Sequence, residues 1–393
     1  MEYLIYFTIF FIPTYLIRFS VFGVPTNVLE ILVGITAIAW LINKFKDQHP
    51  KAKAINNKPT ALVIGIFLLA VGLVLGTLFS IDVRASLGAL KSWFLVPLVF
   101  AAVVKSVLVT TQQKRQALYA LAYSGAGVAL VGLGYWLLGK FTFDGRLAAF
   151  YESPNMLAMY VVVAFLIVTQ LLVQSSKLKV QSYRSKLKSF KFLIVVLSFA
   201  LCASSLFLTR SVGAFIGIAG AIVAATLYAR FQVWRKLWIT FFVIVVITGF
   251  LLPTLSLFTN PWQAGSSSLA SRFMVWQASF KIISQHWFFG IGPGTFQEAY
   301  LSQQKNFPPF LEWAIPHPHS IFLDTYLSAG LLGLMGLLLI LAGFFSQLSK
   351  EKDQFVVSCL LLVVSYLLIH GAIDNTLWRN DMVMIFWLVL ASV

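Results

Sequence analysis

Long apolar runs recur along the whole chain and are separated by short polar segments. Most of them approach or exceed the roughly 18 to 20 residues that a helix needs to cross the hydrocarbon core of a bilayer. Backbone polar groups within lipid must be paired inside the segment, so each run is predicted to be helical. The pattern therefore predicts an all-α polytopic bundle of about 12 spans: residues 3–22, 26–42, 60–80, 86–104, 116–138, 156–174, 192–208, 211–229, 237–256, 320–347, 354–372 and 382–393.

The composition supports a single integral membrane domain over residues 1–393. Hydrophobic residues make up 59% of the chain and charged residues 11%, whereas about a quarter of the residues of soluble proteins are charged. The first apolar run continues into a second span and does not end at a small-residue cleavage site, so it is expected to be a retained helix. Cys202 and Cys359 stand within apolar runs, which argues against a disulfide framework or a thiolate metal site.

The lysines and arginines alternate between the two predicted sides of the bundle. They concentrate in every second connection: residues 43–59, 105–115, 175–191, 230–236 and 350–352. The positive-inside rule assigns these connections to the cytoplasm, which predicts a multi-pass protein of the cytoplasmic (inner) membrane with both termini cytoplasmic. Because a nucleic-acid-binding face would not alternate in this way, we expect the net charge of +16 to orient the protein in membrane lipid and expect no nucleic acid as a partner.

The longest predicted outer connection is the extracytoplasmic loop of residues 257–319. Apolar residues recur within it at spacings of three and four: Phe273, Trp276, Phe280, Ile283 and Trp287. This spacing predicts an amphipathic helix, and its tryptophans predict that the apolar stripe lies at the level of the lipid headgroups. Loops of this length are usually functional.

A glycine-rich turn, Gly290-Ile291-Gly292-Pro293-Gly294, follows the predicted amphipathic helix. The strand and helix that a dinucleotide-binding loop requires are not predicted around it. The turn is expected to return the chain toward the membrane, and a contribution of its backbone N–H groups to anion binding stays open.

Two of the five histidines, His317 and His319, stand where the chain re-enters the membrane, in Pro316-His317-Pro318-His319-Ser320. His319 is predicted to lie in the first turn of a membrane helix, where the positive end of the helix dipole disfavours imidazolium. A neutral imidazole is suited to act as a general base. A His-x-His metal site and simple interfacial packing stay open, although Asp324 is expected to point away from His319 and the metal site then has no evident third ligand. No metal or cofactor is expected.

Several cations are predicted on or near the outer face: Arg84, Lys91, Lys140, Arg146, Arg210, Arg272, Lys281, Lys305 and Arg379. Each one singly could extend to headgroup phosphates. Together with a histidine at a helix end, they indicate a site for a multiply negative group, since guanidinium binds phosphate oxygens in a bidentate manner. A lipid pyrophosphate is the natural candidate.

From about residue 80 onward, the motifs resemble the O-antigen ligase and polymerase family. The most specific are Arg272-x-x-x-Trp276, the Gly290 to Phe296 turn, and His319-Ser320 with Gly330-x-x-Gly333 nine residues later. The remaining similarities are an arginine and Pro-Asn segment and a closing outer loop, represented here by Arg146 with Phe150 and Ser153-Pro154-Asn155, and by Gly371-Ala-Ile-Asp374 with Trp378 and Asp381.

The resemblance implies a glycosyltransferase that moves a glycan from a polyprenyl-pyrophosphate carrier to an acceptor hydroxyl outside the cytoplasmic membrane, without a metal. His319 would be the general base, and Arg272 and Arg210 would bind the pyrophosphate and stabilise its developing charge. Attack from the opposite side would invert the anomeric centre. The acceptor would be a glycolipid, a glycan or a protein. Further candidate substrate-binding residues are Arg146, His317, Arg84, Lys91, Trp276, Asp374 and Arg379.

Two positions depart from the family pattern. Val212 stands where the family usually has an arginine at the start of the eighth span, so Arg210 would have to replace it from a different helical face. Ser328 stands where an acid is common. Two other functions stay open: a polymerase with the same chemistry, whose acceptor is another lipid-linked glycan, and a solute or bicarbonate-type transporter, which would need polar groups at the midplane and repeated halves.

Overall fold

The computed structural model describes residues 1–46, 60–181, 186–230, 268–304, 306 and 314–393. The predicted span 237–256 and the first part of the predicted outer loop lie outside these residues. The chain forms, in order, α1 (Glu2–Phe10), a 3-10 turn (Ile12–Leu16), β1 (Arg18–Val21), β2 (Val24–Asn27), α2 (Val28–Lys46), α3 (Ala61–Leu78), α4 (Val83–Leu90), a π-helical turn (Lys91–Leu95), α5 (Val96–Val107), α6 (Thr111–Leu137), α7 (Pro154–Gln181), α8 (Lys186–Thr209), α9 (Val212–Arg230), α10 (Ser268–Gln285), α11 (Phe296–Gln304), α12 (Ile321–Leu348), α13 (Gln354–Gly371) and α14 (Asn380–Ala391).

The all-α membrane bundle is confirmed. Within the described residues, eight helical segments are long and apolar enough to cross a membrane, and two shorter apolar helices, Val212–Tyr228 and Asn380–Ala391, accompany them. These segments correspond to ten of the predicted spans, and α4, the π-helical turn and α5 together form one of them.

The predicted span 3–22 is wrong as a continuous helix. The helix ends at Phe10, and the chain continues into an antiparallel hairpin in which Val21 pairs with Val24. The two residues between the strands, Phe22 and Gly23, both have positive φ, at 50° and 79°. This is the backbone of a tight hairpin turn, and it sends the chain back before a helix could cross the bilayer.

Helices α3 and α12 pack at very short range because glycines replace side chains at their interface. A Cβ on Gly72 would lie 2.6 Å from the carbonyl oxygen of Ala329, and one on Gly336 would lie 2.5 Å from the amide nitrogen of Leu69. Small residues allow such close approach between membrane helices, where the hydrophobic effect contributes little to association. The packing fixes α12, the helix that begins just after His319.

Helix α12 is broken in its N-terminal half at Gly330, where φ is 64° and ψ is −163°. The break frees backbone groups that bind the glycine-rich turn: Leu331 N donates to Phe288 O at 3.2 Å, and Ile291 N donates to Leu327 O at 2.7 Å. A side chain at Gly330 would collide with the Phe288 carbonyl. The break therefore docks the glycine-rich turn against the helix that carries His319 at its start.

Two connections that the sequence predicts to be cytoplasmic lie together at one end of the bundle. Lys114 pairs with Glu351 at 2.7 Å, and Arg115 pairs with Asp353 at 2.7 Å. The carbonyl of Val393 accepts a hydrogen bond from Lys105 at this same end. Helices α12 and α13 run from here to the opposite end, so the grouping agrees with the predicted topology, while the orientation of the termini relative to the cytoplasm stays a prediction.

Candidate functional site

The loop before α12 presents two histidine rings side by side. The rings of His317 and His319 meet edge to face with their centroids 4.9 Å apart. Ser320 occupies the cap position and α12 begins at Ile321, so the prediction that His319 lies in the first helical turn is wrong by two residues. His319 has a φ of 48°, a backbone conformation that is uncommon outside glycine. Its position therefore depends on contacts with the surrounding loops.

Asp374 joins the histidine to an arginine. His319 Nδ1 lies 3.0 Å from Asp374 Oδ1, and a terminal nitrogen of Arg272 lies 3.8 Å from Asp374 Oδ2. Arg272 Nε also donates to the carbonyl of Ile373 at 2.9 Å. Asp374 is only 5% exposed at its side chain, whereas His319 is 24% exposed. The structure thus brings together three candidate residues that are far apart in sequence, with the histidine on the accessible side.

Burial and neighbouring charges act differently on the acid and on the second histidine. Burial lowers the pKa of His317 to about 3, with His319 adding to the effect, so His317 is neutral at physiological pH. Burial alone would raise the pKa of Asp374, but the hydrogen bond from His319 and the surrounding imidazoles hold it far below its usual range. Asp374 is therefore an anion that favours the His319 tautomer with a proton on Nδ1 and a lone pair on Nε2.

The segment after α13 is held by a second buried acid. Asn375 donates its backbone N–H to Asp374 Oδ1 at 2.8 Å, and its side-chain amide donates to Asp324 Oδ2 at 2.8 Å. Ser328 lies 3.4 Å from the other oxygen of Asp324. Asp324 therefore reaches the site through Asn375. Sequence spacing along α12 could not reveal this link, because Asn375 belongs to another segment.

Trp276 packs beneath the protein surface against the histidine loop. The prediction that it lies among the lipid headgroups is wrong. Its side chain is 1% exposed, and its Nε1 donates to the carbonyl of Pro318 at 3.0 Å. Trp287, the other tryptophan of the predicted stripe, is 58% exposed and lies beyond the end of α10 at Gln285. The apolar stripe of α10 therefore faces protein at Trp276, which makes Trp276 a packing residue of the site and leaves it inaccessible to a substrate.

Arg146 binds the turn between α8 and α9, which carries Arg210. Arg146 Nε donates to the carbonyl of Thr209 at 2.7 Å, and another of its nitrogens donates to Asn155 Oδ1 at 2.8 Å. Arg210 has a φ of 50°, and its side chain is exposed. These contacts fix the turn that presents Arg210. Gly213, just after the turn, has room only for hydrogen beside the ring of His370.

Three further candidate substrate-binding cations, Arg84, Lys91 and Arg379, form no hydrogen bond or ion pair with His319, Asp374 or Arg272 within the described residues. Lys91 pairs with Glu30 at 2.8 Å and donates to the carbonyl of Pro25. Arg379 makes two hydrogen bonds to Asp381, at 2.6 and 2.8 Å, and its side chain is 12% exposed. Arg84 is exposed on α4. The pairing of Lys91 with Glu30 was missed because the two residues are 61 positions apart, whereas Asp381, the partner of Arg379, is only two residues along the chain.

Three potential metal ligands lie close together in the site. One ligand atom from each of His317, His319 and Asp374 can be chosen so that all lie within 4.8 Å of one another. The sequence predicts no evident third ligand beside the two histidines, and the structure corrects this by supplying Asp374.

These features define a polytopic α-helical membrane protein with a polar His-Asp-Arg site at one end of its bundle. Residues 197–338 match the sequence profile of the O-antigen ligase family, in agreement with the resemblance predicted from the motifs. The matched range contains Arg210, Arg272 and His319, whereas Asp374 lies beyond it. The family is associated with glycosyl transfer in O-antigen ligases and polymerases. No curated protein matches the chain.

Proposed function

We propose that the protein is a glycosyltransferase of the O-antigen ligase type, acting on the outer face of the cytoplasmic membrane. It would transfer a glycan from a polyprenyl-pyrophosphate carrier to a hydroxyl of a glycolipid, glycan or protein acceptor. The observation that carries the proposal is the meeting of His319 and Arg272 on the buried carboxylate of Asp374. This arrangement combines a base with a cation within one site, which is what an acceptor hydroxyl and a pyrophosphate leaving group require.

His319 is the proposed general base. Asp374 accepts a hydrogen bond from Nδ1–H, which keeps the proton on Nδ1 and leaves the lone pair of Nε2 for the acceptor, as in other histidine-carboxylate pairs. The acceptor hydroxyl gives its proton to Nε2 while its oxygen forms a bond to the anomeric carbon. The bond from that carbon to the pyrophosphate oxygen breaks, and its electron pair leaves with the pyrophosphate. Attack opposite the leaving group inverts the anomeric configuration.

Arg272 is the proposed stabiliser of the leaving group. Its guanidinium is held by Asp374 and by the Ile373 carbonyl, so its position is set before the donor binds. A preorganised cation stabilises charge that develops on the leaving oxygen without reorganising in the transition state. Arg210, on the α8–α9 turn, and Arg146, which binds that turn, would contact the donor, with Arg210 in the role that the family usually gives to an arginine at the position of Val212.

A polymerase would use the same chemistry on a second lipid-linked glycan as acceptor. No contact in the site distinguishes the two reactions, because both need the same base and the same cation. The difference concerns the acceptor alone, and product analysis by mass spectrometry after deletion of the gene would assign it.

The test is a transfer assay with purified protein in proteoliposomes, using His319→Ala and Arg272→Ala. We expect each variant to lose at least about 100-fold in rate, since a positioned general base contributes about 10²- to 10⁴-fold and a preorganised group that stabilises developing charge contributes about 10²- to 10³-fold. His286→Ala and Arg18→Ala are matched controls, because both residues are exposed and lie outside the His319 group. Wild-type rates for both site variants, in protein that inserts normally, would rule out this mechanism.

A further inference from the structure

A buried nitrogen of the site has no hydrogen-bond partner. His317 Nδ1 is enclosed among the described residues, yet it accepts no hydrogen bond and donates none. Buried polar atoms are nearly always paired, and an exception in a functional site needs an explanation, of which a bound ion is one. In the proposed reaction His317 has no chemical step, so this nitrogen is left unexplained by glycan transfer.

The atoms around this nitrogen are those of a transition-metal site. His319 and Asp374 complete a group whose three ligand atoms lie within 4.8 Å of one another. Tetrahedral Zn²⁺ takes imidazole and carboxylate ligands at about 2.0–2.2 Å, so small rotations of the two rings would bring the atoms to the required spacing. Two imidazoles and one carboxylate suit Zn²⁺, whereas Mg²⁺ and Ca²⁺ prefer oxygen ligands throughout.

We propose that His317, His319 and Asp374 bind one Zn²⁺-type cation, and that this cation inhibits glycan transfer. The inhibitory part rests on the proposed function. The bound cation uses a lone pair of His319 and the carboxylate that orients it, so the base can no longer accept the proton of the acceptor. The metal is thus a reversible inhibitor of a reaction that does not need it.

Arg272 competes with the cation for Asp374. Its guanidinium lies 3.8 Å from Asp374 Oδ2, so bound Zn²⁺ and this arginine compete for the same carboxylate. Removal of the arginine should therefore strengthen Zn²⁺ binding severalfold while it abolishes transfer. A general loss of structure in the site would weaken both Zn²⁺ binding and glycan transfer. Tighter Zn²⁺ binding together with lost transfer would therefore identify a cation site.

The experiment is equilibrium dialysis of the untagged full-length protein in detergent against Zn²⁺, with Mg²⁺ dialysed in parallel. Cys202 and Cys359 are buried, which limits binding of Zn²⁺ by thiols. We expect about one Zn²⁺ per chain, a loss of that ion in His317→Ala and Asp374→Asn, and tighter binding in Arg272→Ala. His286→Ala is the control and should bind as the wild type does, because His286 is exposed at the end of α10.

The same preparations separate this inference from the proposed function. Zn²⁺ should lower the transfer rate of the wild type at least tenfold, and a chelator should restore it. Absence of Zn²⁺ binding, equal binding in His317→Ala, or transfer unaffected by bound Zn²⁺ would each overturn the inference. Zn²⁺ binding with the expected variant pattern in a protein that shows no glycan transfer would contradict the proposed function and leave the metal site standing.

Discussion

Replacement of Asp374 by asparagine isolates the negative charge in the proposed mechanism. The substitution keeps the size of the side chain and an oxygen that can accept the backbone N–H of Asn375, which now lies 2.8 Å away. It removes the anion 3.0 Å from His319 Nδ1 and 3.8 Å from Arg272. The variant should therefore fold normally, but it should no longer hold the proton of the His319 imidazole on Nδ1.

The expected loss can be sized from the role of the carboxylate. The asparagine amide can donate to Nδ1, which would place the imidazole proton on Nε2 and leave no base toward the acceptor. In a Ser-His-Asp triad the same change lowers kcat by about 10⁴-fold. Because His319 remains 24% exposed and can sample other tautomers, we expect a smaller loss of about 10²- to 10³-fold, or about 3 to 4 kcal/mol of barrier.

The assay measures kcat and KM for donor and acceptor in proteoliposomes. We expect kcat to carry the loss, because Asp374 is buried and does not itself contact the substrates. Glu298→Gln removes an exposed acid on α11 and serves as the control. If His319 and Asp374 act as one unit, the double variant should be no slower than His319→Ala alone. A kcat for Asp374→Asn within twofold of the wild type would refute the reasoning.

Three further predictions concern the helices of the bundle and the support of the histidine loop. Asp353 caps α13 at Val356 and pairs with Arg115. Asp353→Ala should therefore lower the free energy of unfolding by about 1 kcal/mol through loss of the cap alone. Asp353→Asn should retain most of the stabilisation by the cap, as measured by thermal unfolding in detergent. Burial alone would raise the pKa of Asp353, but the hydrogen bond from Arg115 outweighs burial and lowers the pKa. The ionised Asp353 therefore stabilises the fold at neutral pH, and this stabilisation is lost as the pH falls through the lowered pKa. The acid unfolding profile of Asp353→Asn should lack this loss. Gly336→Leu should abolish folded, monodisperse protein, whereas Met335→Leu on the exposed face should not. Trp276→Phe should lower the rate of transfer by about tenfold, because it removes a hydrogen bond of about 1 to 1.5 kcal/mol to the histidine loop. Unchanged kinetics would show that this hydrogen bond does not position the loop.

The spans were predictable because a helix in lipid satisfies its own backbone, so length and hydropathy are enough to locate it. The same rule failed over residues 3–22, where an apolar hairpin has a composition similar to that of a span. The difference lies in the positive φ of Phe22 and Gly23, and a phenylalanine at such a position is not a signal that the sequence alone reveals. Apolar character was also ambiguous at Trp276, since protein interior and headgroup layer both accept tryptophan.

The site was predictable residue by residue but not as an arrangement. His319 and Arg272 stood out by type and motif, yet their meeting point, Asp374, lies 55 residues from the histidine. The pairing of Lys91 with Glu30, 61 residues apart, was hidden for the same reason. Charges in the sequence can be counted directly, whereas the partner that neutralises each one is a property of the packed helices.

The glycines connect the packing of the bundle to the chemistry at its end. In lipid, helices associate through close contact and hydrogen bonds, since apolar side chains gain little by leaving apolar solvent. Helix α3 contributes no polar residue to the His319 group, yet its contact with Gly336 fixes α12. The break at Gly330 then ties the glycine-rich turn to α12, and α12 starts two residues after His319. The geometry of the base therefore also depends on contacts that carry no charge. Substitutions deep in the α3–α12 interface should change the rate of transfer even though they alter no residue of the site.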